Sequence, residues 1–255
     1  MKLICVNAWG GKCLVPLINL IKEAEPTTDI FCFQEVFHSN ESRTLNSEYI
    51  SNLYDKIQEV LSDFQGSFSA QFDNYDYESP VDFPLSHGQA TFVRNTFKVR
   101  KSGEVFVFGE KNKVIKEGKI RTVPENVQYV NISHGNQEFV VCNIHGIPNW
   151  PKIDTPERIK QSKIILDLLQ TFPNSKKILC GDFNLFPETK SIQMLEASMK
   201  NLIKEYKIKK TRSALYERDD KISDYIFVSQ DVTVKDMQVL DAAVSDHLPL
   251  VVEFE

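Results

Sequence analysis

Cysteine is sparse in this chain and poorly spaced for covalent or metal work. Of the five, Cys5, Cys13, Cys32, Cys142 and Cys180, four sit inside apolar runs and none stands at CxxC spacing. That argues against a disulfide framework and points to small buried hydrophobes in a reducing compartment. Long apolar runs are also missing. The stretch after Lys2 breaks at Asn7, too short for a secretory leader, and nothing approaches a membrane span. Excess positive charge is absent too: 30 Lys and Arg face 35 Asp and Glu, a net charge of -5. A phosphate-bearing partner must then be met by local basic groups or by a metal rather than by a global field. No repeat, low-complexity segment or Pro/Gly/Ser linker divides the sequence. The expectation is one soluble, cytoplasmic domain over residues 1–255, a monomer without stable membrane association.

What is present is ordinary globular material, 42% hydrophobic and 25% charged, enough for a sizeable core. "KLICVN" and "DIFCFQEV" read as buried strands, "LVPLINLIKEAE" as a helix, and residues 43–64 carry an apolar stripe at helical spacing. From Phe68 to Phe139 short β-rich pieces separated by Gly, Asn and Pro look antiparallel. "DTPERIKQSKIILDLLQTF" predicts a helix capped by Asp154 or Thr155, with Pro156 in its first turn. The strands "KKILC", "DYIFVS", 232–240 and "LPLVVEF" follow, with a short helix near Ser191 to Leu195. Alternating strands and helices of this kind predict an α/β domain of mixed sheets covered by helices.

One stretch carries more than fold. In "KKILCGDFNLFP", residues 176–187, Asp182 and Asn184 flank Phe183 where a strand stops. Asp and Asn are turn residues in their own right, so this is either punctuation or a pair of polar groups at a sheet edge. Other segments place similar groups at strand ends: Asn7, Gln34 and Glu35, His145, Asp224, and Asp246 with His247. In a mixed sheet, the end of one strand and the start of an antiparallel neighbour share an edge, so these groups can meet at one rim. Carboxylates and carboxamides with few imidazoles and little sulfur suit a hard cation, Mg²⁺ or Mn²⁺, rather than zinc. The chemistry such a site serves best is phosphoryl transfer to water.

At these residues the sequence resembles a known family. "VNAWG", "FQEV", "NIHG", "GDFN", "SDYIF" and "SDHLP" occur in the order and roughly the spacing of the endonuclease/exonuclease/phosphatase superfamily. The resemblance covers the whole chain. It implies a four-layer α/β/β/α sandwich, two mixed β-sheets packed face to face with helices outside, and metal-dependent hydrolysis of a phosphoester. Carried over, Glu35 is the principal metal ligand with Asn7 beside it and Asp246 near the metal. Asp182 and Asn184 orient water and hold a phosphate oxygen. His247 acts as base or phosphate-binding group with Asp224 fixing its tautomer, and His145 stabilises the phosphoryl group or protonates the leaving oxygen. Trp9 stands where many nuclease members carry a second acid and cannot ligate a metal. His145 stands where apurinic endonucleases carry Tyr, so the chain is more similar to the two-histidine members.

Substrate signals are thinner. Residues 204–218 hold six basic residues against Glu205 and Glu217, a net of 6 − 2 = +4. Such a run is ordinarily a solvated face, yet Lys210 and Arg212 fall in an expected loop near the rim and could hold a substrate phosphate. Arg158 opposes the dipole of its helix, which suits either a phosphate or a surface ion pair. Trp150 and Trp9 could stack on a base or simply pack. The expected function is a phosphodiesterase on a nucleic acid, DNA or RNA, or a nucleotide. Its alternatives are a phosphatase or headgroup phosphodiesterase on a small or lipid substrate, and a non-catalytic phosphate-binding module. Activity is expected to rise with pH as a site histidine deprotonates.

Overall fold

The computed structural model describes residues 1–117 and 120–255. In chain order the strands are β1 (Lys2–Asn7), β2 (Ile30–His38), β3 (Thr44–Leu45), β4 (Tyr49–Ile50), β5 (Phe64–Asp73), β6 (Ser86–Arg94), β7 (Lys98–Phe108), β8 (Ile115–Glu117), β9 (Ile120–Thr122), β10 (Glu125–His134), β11 (Gln137–His145), β12 (Lys176–Asp182), β13 (Lys200–Asn201), β14 (Asp224–Val228), β15 (Val234–Val239) and β16 (Leu250–Phe254). The α-helices are α1 (Leu14–Ala24), α2 (Leu53–Val60), α3 (Pro156–Gln170), α4 (Lys190–Glu196) and α5 (Leu202–Glu205).

Twelve of the strands form two six-stranded sheets, in the orders β15-β16-β1-β2-β6-β5 and β13-β14-β12-β11-β10-β7. Each sheet is antiparallel except for one parallel pair, β1 with β2 in the first and β11 with β12 in the second. In β1 and β2 alternate residues serve two apolar layers. Leu3, Cys5, Ile30 and Cys32 face the space between the sheets, with Phe139 and Val141 in the same cluster. Ile4, Val6, Phe31 and Phe33 pack with Leu17 and Ile21 of α1 and Leu53 and Ile57 of α2. The period-2 pleat thus sends successive side chains into two buried layers, so these strands read as continuous apolar runs. Ile165, Leu168 and Leu169 of α3 and Ile192 and Leu195 of α4 join the core on the side of the second sheet. The result is the α/β/β/α sandwich.

A seam of polar side chains fixes how the two sheets are offset. Gln34 Nε2 donates to Asn143 Oδ1 at 2.6 Å, and Asn143 Nδ2 donates to the carbonyls of Phe33 and Ala90, each at 3.1 Å. Thr91 Oγ1 donates to Gln128 Oε1 at 2.6 Å. A buried network of this kind holds only in one relative position of its partners. Gln34 and Asn143 lie one and two residues before Glu35 and His145, so the seam registers the residues above it.

One local expectation is corrected and one choice is resolved. Residues 43–64 do not form one helix: β3 and β4 make a small ribbon turned through Asn46 and Ser47, both at positive φ, and α2 begins only at Leu53. Leu45 packs with Phe37, Phe83 and Leu85 in a separate cluster, so its helical spacing from Leu53 was coincidental. At the next helix, Thr155 is the cap of α3, accepting from Arg158 N at 3.2 Å. Asp154 instead serves α4, accepting from Lys190 N at 2.7 Å and Ser191 N at 2.9 Å.

Candidate active site

Strand register decides what meets at the rim. Asn7, the last residue of β1, pairs with Gln34 of β2; Gln34 and Glu35 do not close that strand, which passes through a bulge and continues to His38, whereas His145 pairs with Asp182 at the ends of β11 and β12. Asp224 opens β14 directly opposite Asp182, and β16, preceded by Asp246 and His247, runs antiparallel to β1. The ends of β1, β11 and β12, the bulge of β2, the start of β14 and the turn before β16 therefore share one edge of the sandwich.

The backbone turns the acids into that edge. Glu35 has φ 53° at a register shift between Phe33 and Val36, a bulge that breaks the alternation and re-aims its side chain. Asn184 also lies at positive φ, 52°, after the strand has ended. Gly181 has φ 138°, and a Cβ there would sit 2.0 Å from the Ile144 carbonyl oxygen, so only glycine lets β12 lie this close to β11.

Asp182 stands at the centre. Its Oδ1 accepts from Asn184 N at 2.9 Å and Ser223 Oγ at 2.5 Å; its Oδ2 accepts from Asn7 Nδ2 at 3.4 Å. A histidine flanks it on each side, His247 Nε2 at 3.4 Å and His145 Nε2 at 4.0 Å. Each imidazole is held from behind by a buried carboxylate: His247 Nδ1 lies 2.8 Å from Asp224 Oδ1, and His145 Nδ1 lies 2.9 Å from Glu125 Oε2. Thr211 Oγ1 donates to the other oxygen of Asp224 at 2.7 Å. Both rings are thereby aimed so that Nε2 faces Asp182.

Glu35 lies on the His145 side, with Oε1 accepting from Asn7 Nδ2 at 2.9 Å and 3.3 Å from His145 Nε2, and Oε2 accepting from Tyr77 OH at 3.4 Å. Trp9 N donates to Asn7 Oδ1 at 2.9 Å, which turns the Asn7 amide nitrogen toward the carboxylates. Tyr77 OH in turn meets His87 Nε2 at 2.5 Å. The side chains of Glu35 and Asp246 are 21% and 13% exposed, the most open of the rim acids.

The electrostatics are dominated by burial and by these pairings. Burial opposes ionisation of Glu35, but the hydrogen bond and charge of His145 hold it well below the usual carboxylate range. Burial likewise opposes ionisation of Asp182, and the charges of His247, Arg212 and Lys152 outweigh it. Burial disfavours the charged imidazoles, yet Glu125 and Glu35 raise His145 far above its ordinary value, and Asp224 raises His247. Asp246 is raised by burial, with His247 pulling the other way and the nearby Glu35 adding to the rise.

Glu35 and Asp182 both oppose ionisation of Asp246, a repulsion that a bound cation would relieve. The carboxylate oxygens make a hard donor set that fits Mg²⁺ or Mn²⁺, which the Asn7 oxygen joins only when its amide turns over from Trp9 N. A tighter triangle, Asp182, Asp224 and His247 with possible donor atoms within 4.8 Å of one another, is wholly buried. Its nitrogen and carboxylate are already committed to one another through the 2.8 Å His247–Asp224 contact, so the more open acids are the better ligands.

The three basic residues singled out in the sequence part company. Arg212 is at the site: its Nη1 lies 3.1 Å from Asp246 Oδ2 and also contacts His247 Nε2, Nη2 donates to Ser223 Oγ at 3.2 Å, and the guanidinium stacks 4.1 Å from the Tyr216 ring centroid. Lys210 is not, pointing outward, with Nζ 3.6 Å from Asp241. Arg158 is neither a phosphate ligand nor a surface ion pair. Its guanidinium is buried and donates to the carbonyls of Pro151 and Ile153, each at 2.7 Å, of Ile147 at 3.0 Å, and of Asn149. A fully donor, planar group in the first turn of α3 reaches back to satisfy a loop that has no ladder of its own.

Glu125, Lys152, Ser223 and Tyr77 escaped the sequence reading. Glu125 opens β10, which runs antiparallel to β11, so the strand-start rule that flags Asp224 also covers it. Lys152, buried with Nζ 2.7 Å from Asp220 and 3.2 Å from Ser223 Oγ, carries no comparable signal.

The model of the endonuclease/exonuclease/phosphatase family matches residues 5–247. The chain belongs to that family. Solved structures with the same fold include a mannosyl-6-phosphatase from Bacteroides thetaiotaomicron (TM-score 0.73, 16% identity, covering 100% of this chain and 99% of that one). A family member from Leptotrichia buccalis (0.72, 20%, 100% and 99%) and the human Nocturnin catalytic domain with bound sulfate (0.65, 19%, 100% and 93%) are also similar. No curated protein gives a significant match. Family membership makes the chain a hydrolytic phosphoesterase fold, and no described helix is long and apolar enough to cross a membrane.

Proposed function

We propose that this chain is a phosphodiesterase acting on a nucleic acid or nucleotide with Mg²⁺ or Mn²⁺. The observation that carries the reading is the pair of carboxylate-backed histidines aimed at Asp182 from opposite sides. Two aimed imidazoles flanking one carboxylate suit a displacement that needs a proton removed at one end and supplied at the other.

Glu35, Asn7 and Asp246 would hold the cation, which supplies charge neutralisation of the phosphoryl oxygens and an acidified water. Asp182 orients the attacking water, and Asn184, whose Nδ2 donates to the Gly146 carbonyl at 3.2 Å, steadies the phosphate beside it. His247 takes the water proton at Nε2, its Nδ1 proton remaining with Asp224. That assignment requires Arg212 to leave His247 Nε2 and turn to a phosphate oxygen. His145 donates from Nε2 to the leaving oxygen, its charge supported by Glu125. The protein is read as a single-domain monomer of the cytoplasm, in keeping with five free thiols.

The test is hydrolysis of nucleotide diesters, nucleoside monophosphates, sugar phosphates and a phospholipid with either metal, using Asp182→Ala as control. Diester cleavage that falls at least about 100-fold in the variant supports the reading. Preference for monoesters moves it to a phosphatase, and silence on every substrate moves it to a binding module.

A further inference from the structure

The loop that follows His145 presents two faces. Trp150 is 54% exposed, whereas Lys152 is buried and reaches Ser223 Oγ, the hydroxyl that donates to Asp182. An open indole is thus carried two residues from a side chain that enters the catalytic cluster. The loop is clamped in this shape by Arg158 through the carbonyls of Ile147, Asn149, Pro151 and Ile153.

Phe186 meets the indole edge-on, with ring centroids 6.0 Å apart and planes at 88°. That contact steadies the ring without stacking on its face. The Arg218 guanidinium lies 5.2 Å from the ring centroid. Beside the indole lies a recess of about 290 Å³ whose wall includes Phe108, Ile147, Asn149 and Ile153. Trp150, Ile153 and Leu215 are three of the five large apolar residues exposed among the described residues, and they lie in two loops that both send side chains into the site. Trp150 and Ile153, both exposed, share the wall of that recess, and an open apolar ledge of this kind marks a place where a ligand docks.

We propose that this platform is the subsite for a nucleobase of the substrate, which stacks on Trp150 beside Arg218 while its phosphoester reaches Asp182 and His247. The inference rests on the phosphoester reading and names the substrate class. A planar base gains from both the indole face and the guanidinium, while a saturated sugar has no π-system for either to meet. The recess is at the lower limit for small-molecule sites, so it takes one base rather than a run of them.

The chain has two tryptophans, so a Trp9→Phe background leaves Trp150 as the sole indole reporter. Saturable fluorescence quenching by a nucleoside 5′-monophosphate, with little response to ribose 5-phosphate, is expected; equal response to both overturns the proposal. In hydrolysis of a nucleotide diester, Trp150→Ala is expected to raise KM about tenfold with kcat nearly unchanged, and Trp150→Phe to restore most of the loss. Unchanged KM in Trp150→Ala with an inactive Asp182→Ala overturns the platform and leaves the phosphoester reading standing. Full activity in Asp182→Ala overturns that reading instead.

Discussion

Glu125 Oε2 lies 2.9 Å from His145 Nδ1, and Gln71 Nε2 donates to the same oxygen. Glu125 is fully buried, on the strand next to the one that ends in His145. The contact repeats, from the opposite flank of β11 and β12 in the same sheet, the one between Asp224 and His247. Asp182 therefore lies between two imidazoles that are each oriented from behind by a buried carboxylate.

Replacing Glu125 by Gln removes the charge that contributes most to raising His145. The ring is expected to titrate above the ordinary imidazole range in the metal-free wild type, and lower in Glu125→Gln. Histidine ring NMR against pH measures this directly, and identical titration curves would remove Glu125 from the role. Hydrolysis is expected to fall about 10- to 100-fold with substrate binding little changed.

Stability should have an acid limb and an alkaline limb. Glu35 and Asp182 are depressed in the fold, so their contribution is complete above about pH 5 and is lost as pH falls through the folded values. His145 is raised, so its contribution is complete below about pH 6.5 and is lost as pH rises through its folded value. Urea denaturation of the metal-free protein is expected to give a maximum between about pH 5 and 7. Glu125→Gln should flatten the alkaline limb, and a wild-type curve still rising above neutrality would contradict the assignment.

Metal binding should be linked to protons. Asp246 is raised by burial, opposed by His247 and reinforced by the crowding of Glu35, so at mildly acid pH part of the population must lose a proton before a cation binds. Calorimetry with Mg²⁺ in two buffers of different ionisation heat should show proton release that grows as pH falls. Glu35→Gln should weaken affinity at least about tenfold. Heats independent of buffer would separate Asp246 from the cation.

Arg158→Met should destabilise the fold by about 3 kcal/mol, because it removes the guanidinium donors to the carbonyls of residues 147, 149, 151 and 153, leaving that of Pro151 with Ile153 N. A shifted urea midpoint with an unchanged slope is the expected reading. A phosphate ligand would behave oppositely, raising KM while leaving the midpoint in place.

Strand ends were the part of the site that sequence could point to. Asn7, His145, Asp182 and Asp224 each close or open an apolar run, and Asp246 and His247 stand just before the last one; the direction of strand pairing brings such positions to one edge, which Glu35 reaches instead through a bulge inside β2. Composition and period determined the layers for a similar reason, since a strand buried on both faces must be apolar throughout. Tertiary structure alone decided the rest. Lys210 and Arg212 look alike in sequence, but on an extended segment the choice between solvent and site depends on the direction in which each side chain leaves the backbone. Arg158 looks like a surface cation until the shape of the loop before it shows a set of carbonyls turned toward its guanidinium. Glu125 and Lys152 find their partners 20 residues or more away, at His145 and Asp220. Local pattern specifies which residues lie on a strand or helix, whereas the pairing of two buried charges is set by loop paths that local pattern does not encode.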